Sequence, residues 1–238
     1  MIKYNLKQPE DLETVELRGK FYRMKPCNRQ EYIMNFCKGK RVLDIGCTCW
    51  PNTQLRMKHE TLLHERLLKI ASIVHGIDID RDGIKYMREV RGYTGVFCIN
   101  ATDLQGSHPE LLDTYDVIVL GDIVEHVTNP QDVITAAASR LGRDGQLIVT
   151  LPNAFHLYGF VKALLGSECT HPDHVAFYSP MNIQELCRRC NLKLLEMRGY
   201  YEDSYKEHFL KRALRNVERL GMRFFPGTSC GIIFRATK

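Results

Sequence analysis

The sequence predicts an α/β protein built on a mostly parallel sheet. Short runs rich in Val and Ile alternate with longer charged segments whose apolar residues recur at helical spacing. The 238 residues, 44% of them hydrophobic, suffice for one sizeable core near the upper size of a single α/β domain.

Seven strands are expected, at residues 41–45, 73–79, 96–99, 117–120, 146–151, 193–198 and 231–236. Between the first two, Leu62, Leu63, Leu67 and Ile70 recur at helical spacing, so residues 55–71 are expected to form a helix. Residues 130–141 repeat the pattern and are expected to stop at Gly142, with Arg140 in the last turn. Ser179 and Pro180 mark an N-cap and a first helical position, opening a helix over 181–190. Residues 203–225 set Phe209, Leu210, Ala213, Leu214, Val217 and Leu220 among Lys211, Arg212, Arg215 and Arg219, the pattern of a basic amphipathic helix. Its apolar stripe packs on the core, or its basic face meets a membrane surface or an anionic acceptor.

Composition narrows the function classes. Apolar runs such as 117–120 and 147–151 fall far short of the roughly 20 residues that cross a bilayer. The first twenty residues alternate charged and apolar side chains without the apolar core of a secretory signal, so a cytoplasmic location is expected. Nine cysteines, an odd number at irregular spacing, are expected as reduced thiols. Cys187 and Cys190 form one CxxC and Cys47 and Cys49 one CxC, and a zinc site would need such distant pairs to converge. The net charge of +5 is C-terminal: residues 185–238 hold 12 Lys+Arg against 6 Asp+Glu, which leaves 21 against 22 before them. With so local an excess, a nucleic acid partner is not expected.

In an open parallel sheet, ligands sit beyond the carboxyl ends of the strands. The first predicted strand runs into Asp44, Gly46, Cys47 and Thr48, where glycine allows a tight turn and close backbone approach. The second runs into Asp78, Ile79 and Asp80, and an acid there can accept bonds from both hydroxyls of a ribose. The third ends at Asn100, Ala101, Thr102 and Asp103, with side chains able to read an adenine edge, and the fourth at Gly121 and Asp122.

These positions resemble the ordered motifs of class I S-adenosyl-L-methionine-dependent methyltransferases over roughly residues 40–200. The segments YDVIVLGDIVEHVTNP, LGRDGQLIVTLPN and HPDHVAFYSPMNIQELC follow in the order seen in the branch that modifies small molecules and bacterial surface glycans. The resemblance implies a Rossmann-like seven-stranded sheet with helices on both faces and the last strand antiparallel. It implies Asp78 as the ribose acid, Asn100 or Asp103 facing adenine, and a small-molecule or glycan acceptor. Residues 1–40 would be a helical lead-in over the cofactor site, and 41–238 the methyltransferase domain with an acceptor-pocket insertion around 152–180. The chain departs from the pattern where Thr48 and Trp50 stand in place of glycine, and in the spacing of 34 positions from Asp44 to Asp78, where a dinucleotide unit has about 20. A diphosphate-cradling loop needs those glycines, so a dehydrogenase is excluded, whereas S-adenosylmethionine carries no phosphate. Its cationic sulfonium favours a nearby carboxylate, which Asp44 can supply.

An acceptor amine needs little help in methyl transfer, but a hydroxyl needs a base or a metal ion. Asp122, Glu125 and His126 form DxxEH, whose spacing on a helix would share one face. His171 and His174 lie in THPDH. The set looks like the ExxEH followed by DH of metal-dependent O-methyltransferases of ubiquinone biosynthesis and of small-RNA 3′ ends, with aspartate for the first glutamate. Asp122, Glu125, His126 and His174 are thereby candidates for a divalent ion such as Mg²⁺ or Mn²⁺. A histidine base without metal and a structural His126 are the alternatives. The resulting expectation is O-methylation of a small molecule or glycan, with RNA 2′-O-methylation or non-catalytic cofactor binding as the competing functions.

Overall fold

The computed structural model describes residues 25–168, 170–201, 221–222 and 224–238. Most of the expected lead-in and the body of the expected basic helix at 203–225 lie outside the described residues. Eight strands form one sheet: β1 (Cys27–Asn28), β2 (Arg41–Ile45), β3 (Ile73–Asp78), β4 (Val96–Cys98), β5 (Tyr115–Gly121), β6 (Leu141–Pro152), β7 (Lys193–Tyr201) and β8 (Gly231–Thr237). Their order is β1-β7-β8-β6-β5-β2-β3-β4, and β8 runs antiparallel to both its neighbours. All seven expected strands are present. The eighth, β1, is two residues paired beside Tyr200 and Tyr201, too short to leave a periodic signal.

Helices α1 (Arg29–Cys37), α2 (Thr53–Lys58), α3 (Leu63–Leu68), α4 (Arg81–Glu89), α5 (Pro130–Ser139), α6 (Leu157–Leu164) and α7 (Pro180–Arg189) complete the framework. Strand alternation divides the core. Leu43, Ile118, Leu120, Leu147 and Val149 face α5 and α7 through Ile134, Ala137, Ile183 and Leu186. Val42, Val117, Val119 and Ile148 face α1 and α3 through Tyr32, Ile33 and Leu67. Burial on both faces accounts for the nearly unbroken apolar runs of β2 and β5. Among the described residues, no helix is long and apolar enough to cross a membrane.

Two helical expectations need correction. The single helix at 55–71 is two short ones, because Glu60 adopts a left-handed φ of 54°. Thr61 N–H reaches Arg56 O at 2.9 Å and Glu60 N–H reaches Met57 O at 3.1 Å, a Schellman closure that turns the chain before α3. The helix at 130–141 ends at Ser139, and Leu141 and Gly142 already belong to β6. Arg140 does not serve the helix terminus. Its guanidinium donates to Leu104 O at 2.7 Å and Gly106 O at 2.6 Å, pinning the 3₁₀ turn Ala101–Gln105 behind β4.

Because Arg140 is buried and donates to two backbone carbonyls, Arg140→Ala should lower unfolding free energy by about 2 kcal/mol. Denaturant titration checks this; a change below about 0.5 kcal/mol would show the turn to be held by other contacts.

Candidate active site

A cleft of about 500 Å³ opens at the carboxyl ends of β2, β3, β4 and β5, where the strand order reverses direction from β2. Gly46 makes the turn out of β2 with φ 79°, and a side chain there would collide with Ile123. Its N–H donates to Ile77 O at 2.8 Å, drawing the loop against β3. Asp44, Gly46, Cys47, Asp78, Ile79, Asn100, Ala101, Gly121 and Asp122 all line the cleft, as do His126 and His174. Asp103 does not: its carboxylate accepts from Thr102 Oγ1 at 3.2 Å beside the turn. Cys47 is buried, and loss of solvation pushes its thiol well above the ordinary range, so it packs rather than reacts.

The Thr48 departure has a structural consequence. Asp78 accepts from Thr48 N–H at 3.0 Å, Thr48 Oγ1 at 2.7 Å and Asp80 N–H at 2.9 Å. The hydroxyl standing in place of a glycine hydrogen thus holds the loop to the acid at the end of β3.

Arg29 is a lining residue that the sequence did not reveal. It opens α1 and is buried, with Nη2 2.8 Å from Asp122 Oδ2. Nε and Nη2 donate to Thr150 Oγ1 at 3.0 and 2.9 Å, and Thr150 Oγ1 and the Tyr200 hydroxyl both donate to Asp122 Oδ1, at 2.9 and 3.2 Å. A Cβ on Gly121 would come within 2.9 Å of Arg29 Nη2. A cation at the first residue of a helix has no periodic signature and runs against the helix dipole; only the fold shows its partner.

The DxxEH segment is not one helical face. Asp122 has φ 56°, and Val124–His126 is a single 3₁₀ turn, so Asp122 points into the Arg29 network. The structure brings Glu125, His126 and His174 together, with one potential ligand atom from each inside 4.8 Å; Asp122 is not in this group. Val175 N–H donates to Glu125 O at 2.9 Å and ties THPDH to the turn. Glu125 is fully buried, and neither carboxylate oxygen has a hydrogen-bond partner. Burial, then the charge of Asp122, pushes it from 4.5 to about 8. His126 Nδ1 lies 3.2 Å from Asp173 O, so Nδ1–H donates there and Nε2 is the ring nitrogen left for another partner. His174 Nδ1 is buried without a partner, and burial, then His126 and His171, lower its pKa. The His171 ring stands 6.0 Å from that of His126 and 5.3 Å from that of His174.

Glu125 makes stability pH-dependent when no cation is bound. Between about 4.5 and about 8 the folded protein holds a proton that the unfolded chain has released, so stability falls as pH rises through that window. Melting curves from pH 5 to 8 should show this decline, and Glu125→Gln should flatten it; equal slopes would mean that Glu125 is ionised throughout.

Residues 26–197 match the family described as "Methyltransferase domain". The chain is 28% identical over 163 residues to a ubiquinone biosynthesis O-methyltransferase of Shewanella sp. (strain ANA-3), spanning 65% of this chain and 64% of that protein, a little under two thirds of its length. It is 25% identical over 210 residues to the protein so named in Vibrio campbellii, covering 80% of this chain and 83% of that one. The fold is similar to a SAM-dependent methyltransferase from Archaeoglobus fulgidus, at TM-score 0.56 and 19% identity over 96% and 94% of the two chains. It is also similar to magnesium protoporphyrin IX methyltransferase from Synechocystis with bound SAH, at TM-score 0.55 and 14% identity over 95% of each. With its motif-bearing strand ends gathered around one cleft, the chain belongs to the class I S-adenosylmethionine-dependent methyltransferases.

Proposed function

We propose that the protein transfers the methyl group of S-adenosylmethionine to a hydroxyl of a small-molecule acceptor, sugar hydroxyls included, with a divalent cation held by Glu125, His126 and His174. The observation that carries the reading is Glu125, a fully buried carboxylate with both oxygens unpartnered, facing two imidazoles. A carboxylate so placed is costly unless a cation or a proton neutralises it. The ubiquinone biosynthesis relatives are named O-methyltransferases, which agrees with an acceptor that must lose a proton.

The residues divide the task. Asp78 is suited to the ribose hydroxyls, and Asn100 and Ala101 lie where the adenine edge would be read. Asp44 offers negative charge to the sulfonium. Transfer is an in-line displacement from an already activated donor, so the protein's main work is alignment of the acceptor and management of its proton. When bound, a divalent cation would supply Lewis-acid acidification of the acceptor hydroxyl. His126 keeps Nε2 available because Asp173 O engages Nδ1, the second contact that commonly orients a ligating imidazole. With Asp122 held by Arg29, the donors are one carboxylate and two imidazoles, a set that suits Mn²⁺ and similar ions better than Mg²⁺.

Turnover with a panel of phenolic and sugar hydroxyl acceptors should fall at least about 100-fold on prolonged chelation and return with Mn²⁺, and His126→Ala should lower it by a similar factor. Loss with His126→Ala but not with chelation would leave His126 as a base acting alone. Activity that survives both treatments would contradict the proposal.

A further inference from the structure

Asp44 does not face the cleft alone. His64 Nδ1 lies 3.0 Å from Asp44 Oδ2, and the two side chains are 1% and 3% exposed. His64 rides on α3, within the long excursion between Asp44 and Asp78 that exceeds the usual spacing. The closure at Glu60 turns that excursion back before α3 begins. Across the sheet, Asp44 stands in register with Gly76. A Cβ at Gly76 would come within 2.6 Å of His64 Cε1 and 2.8 Å of Cys47 Sγ. Glycine inside a strand ordinarily weakens it; here the missing side chain is the space the imidazole occupies. His64 Nε2 is buried without a partner, so the ring's polar contact is the one it makes with Asp44.

Asp44 lines the cleft and His64 does not, which makes the histidine a residue that acts through its neighbour. The imidazole N–H fixes where the Asp44 carboxylate places its negative charge. That charge distinguishes the two cofactor states, since S-adenosylmethionine is cationic at sulfur and its demethylated product is not. We propose that His64 is a positioning residue for cofactor selectivity: by donating Nδ1–H to Asp44 Oδ2 it holds that carboxylate in place at the sulfonium end of the cleft and biases binding toward S-adenosylmethionine over S-adenosylhomocysteine. This rests on Asp44 being the neighbour of the sulfonium.

Calorimetric titration of each compound into wild type, His64→Leu, His64→Asn and Asp44→Asn tests it. His64→Leu should weaken S-adenosylmethionine binding about tenfold and S-adenosylhomocysteine binding by no more than about twofold, the scale of one hydrogen bond to a charged group. His64→Asn restores a donor near the Nδ1 position and should stay within about threefold of wild type for both compounds. Equal weakening of both by His64→Leu, or no weakening, would overturn the proposal. Asp44→Asn separates the two claims. An unchanged ratio in Asp44→Asn removes the sulfonium role of Asp44 and the inference with it. A lowered ratio there but not in His64→Leu dismisses His64 alone. Should the leucine variant fail to fold, as judged by thermal melting, His64→Gln moves the donor outward and should cost about threefold for S-adenosylmethionine only; an unchanged ratio would again overturn the proposal.

Discussion

The ion pair between Arg29 and Asp122 organises this molecule. It joins the first turn of α1 to the end of β5, and through Thr150 and Tyr200 it draws in β6 and β7. Four parts of the chain separated by up to 171 positions thereby meet at one carboxylate. Held in this network with a left-handed backbone, Asp122 is not grouped with Glu125, although the two are only three residues apart. Glu125 consequently faces His126 and His174 as the only carboxylate of that cluster among the described residues.

Two buried acids show how differently the fold treats like groups. Asp44 receives an imidazole N–H and sits beside a glycine that makes room for the ring. Glu125 has no side-chain donor, and burial, then the charge of Asp122, raises its pKa. In the first case the protein supplies the compensating group itself. In the second, the compensation comes from a proton or from a bound cation. Both acids stand at the ends of strands or in the turns beyond them, where an open parallel sheet leaves a crevice instead of a packed layer.

Much of this was legible in the sequence. The Val- and Ile-rich runs marked the strands of a mostly parallel sheet, and Gly46, Asp78 and Asn100 stand at the ends of β2, β3 and β4. What escaped depended on backbone closure and long-range pairing. The split between α2 and α3 rests on a left-handed Glu60, which no periodicity encodes, and with it went the route by which His64 reaches Asp44. Helical spacing suggested that Asp122, Glu125 and His126 share a face, but a local 3₁₀ turn and the distant Arg29 settled their directions instead. Arg140 fits a helix-terminal charge by sequence position, but its guanidinium clamps the turn after β4 through Leu104 O and Gly106 O.

Where a cation binds decides the chemistry of the cleft. A crystal of the protein soaked in Mn²⁺ and S-adenosylhomocysteine, with anomalous scattering recorded for manganese, locates the ion without recourse to activity. One strong peak is expected within about 2.3 Å of Glu125, His126 and His174 ligand atoms, with Asp122 still paired to Arg29. A peak on Asp122, or no peak in the cleft, would contradict it.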